Sequence, residues 1–337
     1  MILRPKPSPR HHAPSPGVGL SALAAPVPSW LCRAVPDAQA LAAQRLEDIA
    51  IVAGAAIGAL DAIVRRQERW AGAWRQRLAL AAAAMTARQA GRIEDEAALR
   101  DAVLLTRPGD DVGPAGRILL AWRRLAARPA EDLLTEKSLA AVLEDLGHAR
   151  DDEAVSDLAV ELPQLGSSIG MVGMVTGAFM AAERHGFGRT FGCWLANALL
   201  TQRLGWTHAV PLLGAEPALG ASRPRRVAAG ATAPTVEAGP ERTKALLAGQ
   251  ARAALRAIDL STDLERRAER LLAVAPKLRA KGADLVVEKL LSEDAVVASQ
   301  KIAGISDRGL RRLFDRLVEL GAVHELSGRP TFRIYGL

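Results

Sequence analysis

Aromatic residues are scarce: one tyrosine, five phenylalanines and six tryptophans in 337 positions. Runs of β-branched and aromatic residues are correspondingly rare, which argues against a large sheet. Only two cysteines occur, Cys32 and Cys193, with no Cys-x-x-Cys pair and no Cys/His cluster. That excludes a disulfide framework and a thiolate zinc site, and a reduced, cytoplasmic protein is expected. No apolar run reaches the roughly 20 residues that a bilayer crossing needs. IAIVAGAAIGAL (49–60) is bounded by Asp48 and Asp61, and IGMVGMVTGAFMAA (169–182) stops at Glu183. Both are expected to be core helices, and no membrane partner is expected. No secretory signal is expected either, because Pro5, Pro7, Pro9, Pro14 and Pro16 interrupt the place of its apolar core. P-loop and dinucleotide-binding fingerprints are missing, and Ser167 and Ser168 stand in no nucleophile elbow. No catalytic residue, cofactor or metal is therefore assigned.

What the chain does have is alanine and leucine, within a composition that is 49% apolar. Both residues rank at the top of helix propensity, so the expected fold class is mainly α. Its parts are expected to be a disordered Pro-rich tail (1–33), a helical domain (34–213), a Pro/Ala/Gly linker (214–242), charged helices (243–282) and a terminal module (283–337). The net charge of +7 is uneven. Residues 1–33 carry four basic side chains and no acid, and residues 243–337 carry 17 basic against 12 acidic. Positive ends around a slightly acidic middle suggest a polyanionic partner, or simply an arginine-rich helical surface.

Within the helical domain, Trp70 and Trp74 lie four apart and share a helix face, as core packing requires. TRPGDDVGPAG (106–116) reads as a loop, with Pro114 suited to the first turn of the next helix. The acidic stretch 144–157 contains Glu144, Asp145, His148, Asp151, Asp152, Glu153 and Asp157. Its spacing fits no calcium loop, and His148 has no second imidazole at ligand spacing, so a solvated turn is expected. Gly173 and Gly177 have the spacing of a close helix contact. His185-Gly-Phe-Gly-Arg189 is a tight turn between two apolar helices, and Cys193 is expected to be packed within the second of these.

The terminal module has the richest pattern. ADLVVEKLLSED (283–294) reads as a first helix and VVASQKIAGI (296–305) as a short second one. Ser306 is placed to cap a third helix. In that helix Leu310, Leu313, Phe314, Leu317 and Leu320 form an apolar stripe, and Gly321 ends it. AVHEL and TFRIY read as two strands about the Ser327-Gly328 turn. Three helices and a two-stranded wing make a winged helix-turn-helix, whose third helix enters the DNA major groove. The expected DNA-binding residues are Ser306, Arg308, Arg311, Arg312 and Arg316 on that helix, with Arg329 and Arg333 on the wing. The module holds eight basic and eight acidic residues, so its nonspecific affinity is expected to be modest. A winged helix can also dock a protein partner, and that adaptor role stays open.

The run from WRQRLALAAAAMTARQAG to GRILLAWR, together with the ending SGRPTFRIYGL, resembles a bacterial family catalogued as domain-of-unknown-function family 1403. That resemblance covers most of the chain and implies no activity. AAERHGFGRTFGCWLANALL, read with the terminal module, is similar in layout to Fic (filamentation induced by cAMP) proteins. Fic enzymes transfer nucleotidyl groups with a histidine, a metal-binding acid and a glycine-rich phosphate turn. The resemblance would make Gly186, Gly188 and Arg189 an anion-binding turn, but it puts Ala181 at the histidine position, His185 at the acid and Phe187 at an asparagine. Without a base in reach the transfer cannot run, so a decayed scaffold is implied.

Overall fold

Helix-favouring residues dominate the chain, and the computed structural model is mainly α with one small sheet. It describes residues 27–35, 44–168, 170–216, 239–328 and 331–337. Most of the expected tail (1–26), most of the expected linker (217–238) and Arg329 lie outside the described residues.

The helical body comprises α1 (Ser29–Ala34), α2 (Leu46–Val64), α3 (Ala71–Gln89), α4 (Glu96–Leu104), α5 (Gly113–Ala127), α6 (Ala130–Leu133), α7 (Glu136–Asp145), α8 (Asp152–Ser168), α9 (Met171–Arg184) and α10 (Gly188–Leu204). Helix starts follow local chemistry: Asp95, Thr135 and Asp151 accept hydrogen bonds from Ala98 N, Ser138 N and Ala154 N. Part of the acidic stretch is thereby explained. Asp151 caps α8, Asp152 pairs with Arg150, and the buried Asp145 takes the guanidinium of Arg124 at 2.5 Å. Among the described residues, no group of three or more His, Cys, Asp or Glu side chains converges as a metal would need.

The three most deeply buried tryptophans of the core each find an acceptor for the indole nitrogen, which allows these large rings to be buried without an orphaned donor. Trp74 donates to Ala257 O (2.9 Å), Trp122 to Thr86 Oγ1 (3.0 Å) and Trp194 to Ala121 O (3.1 Å). Helices α9 and α10 form a close antiparallel hairpin, where a Cβ on Gly192 would stand 2.9 Å from Phe179 Cδ1. Among the described residues, no helix is long and apolar enough to cross a membrane.

Where several charged helices were expected after the linker, one helix, α11 (Pro240–Val274), runs unbroken for 35 residues. It takes in Pro240, Glu241 and Arg242 from the expected linker, just as α1 takes in Ser29–Arg33 from the expected tail. Proline suits a helix start, because its missing N–H is one that has no partner there. Leu246, Leu247 and Ile258 of α11 are buried, and the helix packs along α2. Glu216, fully buried, pairs with Arg252 at 2.9 Å and with Arg256, tying the end of the body to α11.

Beyond α11 come α12 (Ala283–Ser292), strand β1 (Val296–Val297), α13 (Asp307–Glu319), β2 (His324–Glu325) and β3 (Ile334–Gly336). The strands form an antiparallel sheet in the order β1-β3-β2, with Val296 opposite Tyr335 and Glu325 also opposite Tyr335. Residues 296–305 therefore do not form the expected second helix. Val296 and Val297 pair with β3, Ala298 N donates to Arg333 O, and Gly304 sits at φ +81°, where no helix continues. Side chains alternate across this sheet as the pleat requires. Val296 and Tyr335 join the main core, whereas Val297 and Ile334 pack with Leu104 and Leu105 of the body. Buried side chains from Leu31 to Leu337 form one continuous cluster, so the terminal segment is welded to the helical body.

Candidate nucleic-acid interface

Helix α13 is set by its own sequence. Ser306 adopts an extended conformation and its hydroxyl accepts from Gly309 N at 3.2 Å, while Asp307 supplies negative charge to the first turn. Leu310, Leu313, Phe314 and Leu317 are buried, and Phe314 stacks on Tyr335 of β3 with ring centres 4.3 Å apart. Leu320, expected on the same stripe, is instead 37% exposed. The chain turns at Gly321 (φ +65°), and Ala322 and Val323 take the core position instead.

The opposite face carries the arginines. Arg308, Arg311, Arg312 and Arg316 are all exposed. Arg316 pairs with Glu319 at 3.1 Å, a surface contact of small energetic weight. Arg333, beside β3, lies 3.8 Å from Asp315 and 3.9 Å from Glu325, too far for strong pairing. Arg308, Arg311 and Arg312 make no hydrogen bond or ion pair with any described residue. Ser306 is occupied as the cap, so its hydroxyl serves the helix before any ligand.

Between α13 and the stretch leading into β3 lies a cavity of about 350 Å³, lined by Arg311, Asp315, Phe332, Arg333 and Tyr335. Phe332 is 63% exposed and held at φ +56°, an unusual conformation for a bulky residue. Sequence reasoning passed over this ring, although its position next to Arg333 was the available signal.

What holds this surface in place is a buried ionic cluster that the sequence did not reveal. Asp294, between α12 and β1, is 2% exposed. Arg100 Nε of α4 donates to its Oδ2 at 2.6 Å, and Arg77 Nε of α3 stands 2.5 Å from Oδ1. Burial alone would push this carboxyl up. The hydrogen bond from Arg100 and the charges of Arg77, Arg100 and Arg123 outweigh it, and the pKa lies below the usual range. Arg77 and Arg267 also donate to Leu337 O, at 3.4 and 3.1 Å.

The Gly186–Arg189 turn has a different geometry. Gly186 (φ +77°) and Gly188 (φ +70°) bracket Phe187. Gly186 N and Phe187 N donate back to Glu183 O and Ala182 O, so two amides of the turn close the end of α9. Phe187 is buried against His148, His185 and Phe191, and His185 lies 3.5 Å from Glu161. Ala181, at the position of the Fic histidine, is fully buried and offers no base.

No curated protein and no solved structure matches the chain, so the likeness to Fic proteins gains no support. One family model does match, over residues 21–337, and the chain belongs to that family, described as a protein of unknown function (DUF1403).

Proposed function

We propose that this is a non-enzymatic, regulatory protein that binds duplex DNA through a C-terminal winged helix formed by residues 283–337. The observation that carries the reading is the exposed, unpaired state of Arg308, Arg311 and Arg312 over the first two turns of α13. Arginines tied to carboxylates elsewhere, such as Arg100 or Arg252, are spent on the fold. These three have no counter-charge to leave when a phosphate or a guanine edge approaches.

The order α12, β1, α13, β2, β3 and the sheet order β1-β3-β2 support a winged helix in which residues 298–305 replace the second helix with turns. In this reading the start of α13 enters the major groove and Arg316 reaches phosphate. Arg333 and, by sequence, Arg329 extend the contact along the wing, and Phe332 is an exposed ring of the kind that wedges into a minor groove.

The test uses the full chain, because α12, α13 and the sheet share their core with the body. Labelled duplex DNA is titrated by fluorescence anisotropy across a salt series, with the wild type and an Arg308→Ala/Arg311→Ala/Arg312→Ala variant. Each phosphate contact contributes roughly −0.9 to the slope of log K against log salt, so the variant is expected to lose about 2–3 in slope. Equal binding by both proteins, or no binding by the wild type at low salt, overturns the proposal. Co-purification of a protein partner without DNA affinity would move α13 to the docking role.

A further inference from the structure

A groove of about 420 Å³ opens between α2, α9, α10 and α11. Its size falls in the range that holds small organic ligands, about 300–1,000 Å³. Its walls are apolar, with Ile57, Val175, Leu200 and Leu247 among them. The groove exists because α2 presents glycine where a side chain would fill it. A Cβ added at Gly54 or Gly58 would meet no heavy atom within 4 Å. Met171, 40% exposed, stands at the mouth, where a flexible thioether can adapt to what enters.

A second, independent observation points to a ligand. Gln250 of α11 lines the groove and is only 4% exposed as a residue, and its amide makes no hydrogen bond with any described residue, so its polar end is what stays accessible in the groove. An amide set in an apolar groove with no protein partner leaves both its N–H₂ donor and its oxygen acceptor open to whatever enters. A partner brought by a ligand would supply what the protein does not.

The chemistry of the remaining polar groups narrows the class. Asp61 and Arg65 also line the groove, but they are committed to each other and to the fold. Arg65 Nε donates to Asp61 Oδ2 at 2.7 Å, Arg65 also donates to Leu204 O at 2.9 Å, and Trp206 Nε1 donates to Asp61 Oδ1 at 2.7 Å. The two charges offset each other, so the groove presents no net charge to a charged head group. A glutamine amide presents a donor and an acceptor on one edge, which a primary amide complements on both counts through its own C=O and syn N–H. A carboxylate would satisfy the N–H₂ and set negative charge against Oε1 in an apolar trench.

We propose that this groove binds an uncharged apolar chain carrying an amide, an acyl amide, with Gln250 as the residue that recognises the amide. The site is independent of the DNA-binding reading and stands or falls without it.

Full-length protein is titrated with three probes, decanoyl glycinamide, decanoate and decanol, followed by calorimetry and thermal melting. Decanoyl glycinamide is expected to bind best and to raise the melting temperature by about 2–4 °C near saturation. Gly58→Leu extends a side chain into open space and replaces a helix-interior glycine, so it is expected to keep the fold while abolishing binding. Gln250→Leu is expected to weaken the amide probe about fivefold or more and leave decanol within a factor of two. Decanoate bound more tightly than the amide overturns the assigned chemistry. Binding of the amide unaffected by Gly58→Leu, or no binding of any probe, overturns the site.

Discussion

Replacing Asp294 should do more harm than replacing any other carboxylate of the terminal segment. Its side chain is wholly buried, and the two guanidiniums facing it, from Arg77 and Arg100, are 17% and 9% exposed. In Asp294→Ala both cations stay in the core with no counter-charge, and they also lie near the partly buried Arg123. Burial already lowers the pKa of Arg123, and its Nε has no hydrogen-bond partner among the described residues. Breaking a buried pair on one side costs about 3–5 kcal/mol. Against a total stability of roughly 5–15 kcal/mol, that removes a large share of the folded margin. Urea unfolding followed by tryptophan fluorescence measures it. The matching control is Asp294→Ala/Arg100→Met, which removes a stranded charge and should cost less than the sum of the single changes, with a coupling of about 1–3 kcal/mol. Acid gives a second measurement. The folded pKa of Asp294 is depressed, so its contribution is fully present above the unfolded value near 4 and is lost as pH falls through the folded value. A single variant within 1 kcal/mol of wild type, or simple additivity in the cycle, would refute the reasoning.

Three further outcomes follow from burial and local geometry. Burial pushes the Cys193 thiol up to about 12, whereas Cys32 is exposed, so Ellman's reagent should titrate one thiol in the native protein and two in guanidinium. Two fast thiols in the native state would contradict the burial of α10. Gly214→Ala places a Cβ 2.3 Å from Trp122 Cη2 and 2.8 Å from the Ala82 methyl, and thermal melting should show a loss of about 1–3 kcal/mol. A loss below 0.5 kcal/mol, on the order of experimental scatter, would mean that the body relaxes freely there. Ser306→Ala should cost about 1 kcal/mol and Ser306→Asp should restore most of it, because only the bond to Gly309 N is at stake. Equal losses for both would assign Ser306 another role.

Local signals in the sequence were legible where the physics is local. The α13 stripe is a 3.6-residue pattern, the Ser306 cap reaches three residues ahead, and Gly321 turns the chain by its own conformation. Gly177 also fits the close approach its spacing implies, with Leu165 Cδ2 at 2.9 Å from a hypothetical Cβ. Gly54 and Gly58 have the same spacing, but nothing packs there and the small residues leave room instead. Residues 296–305 were misread because the partner that makes Val296 and Val297 a strand, β3, lies far along the chain. No window of sequence contains that pairing. Leu104 and Leu105, which cover the outer side of the sheet, are more distant still.

Asp294 shows why long-range information also changes the reading of charge. By count the terminal module is neutral, with eight acids against eight bases. One of those acids is turned inward and neutralises arginines that belong to α3 and α4, so it contributes nothing to the outer surface. Exposed charge on the module is therefore more positive than its composition. It is also unevenly arranged, because Arg316 is answered by Glu319 while Arg308, Arg311 and Arg312 are answered by no described residue. A carboxylate buried against the body thus does two jobs at once: it fastens α12 and β1 to α3 and α4, and by turning inward it takes one negative charge away from the outer surface that carries Arg308, Arg311 and Arg312.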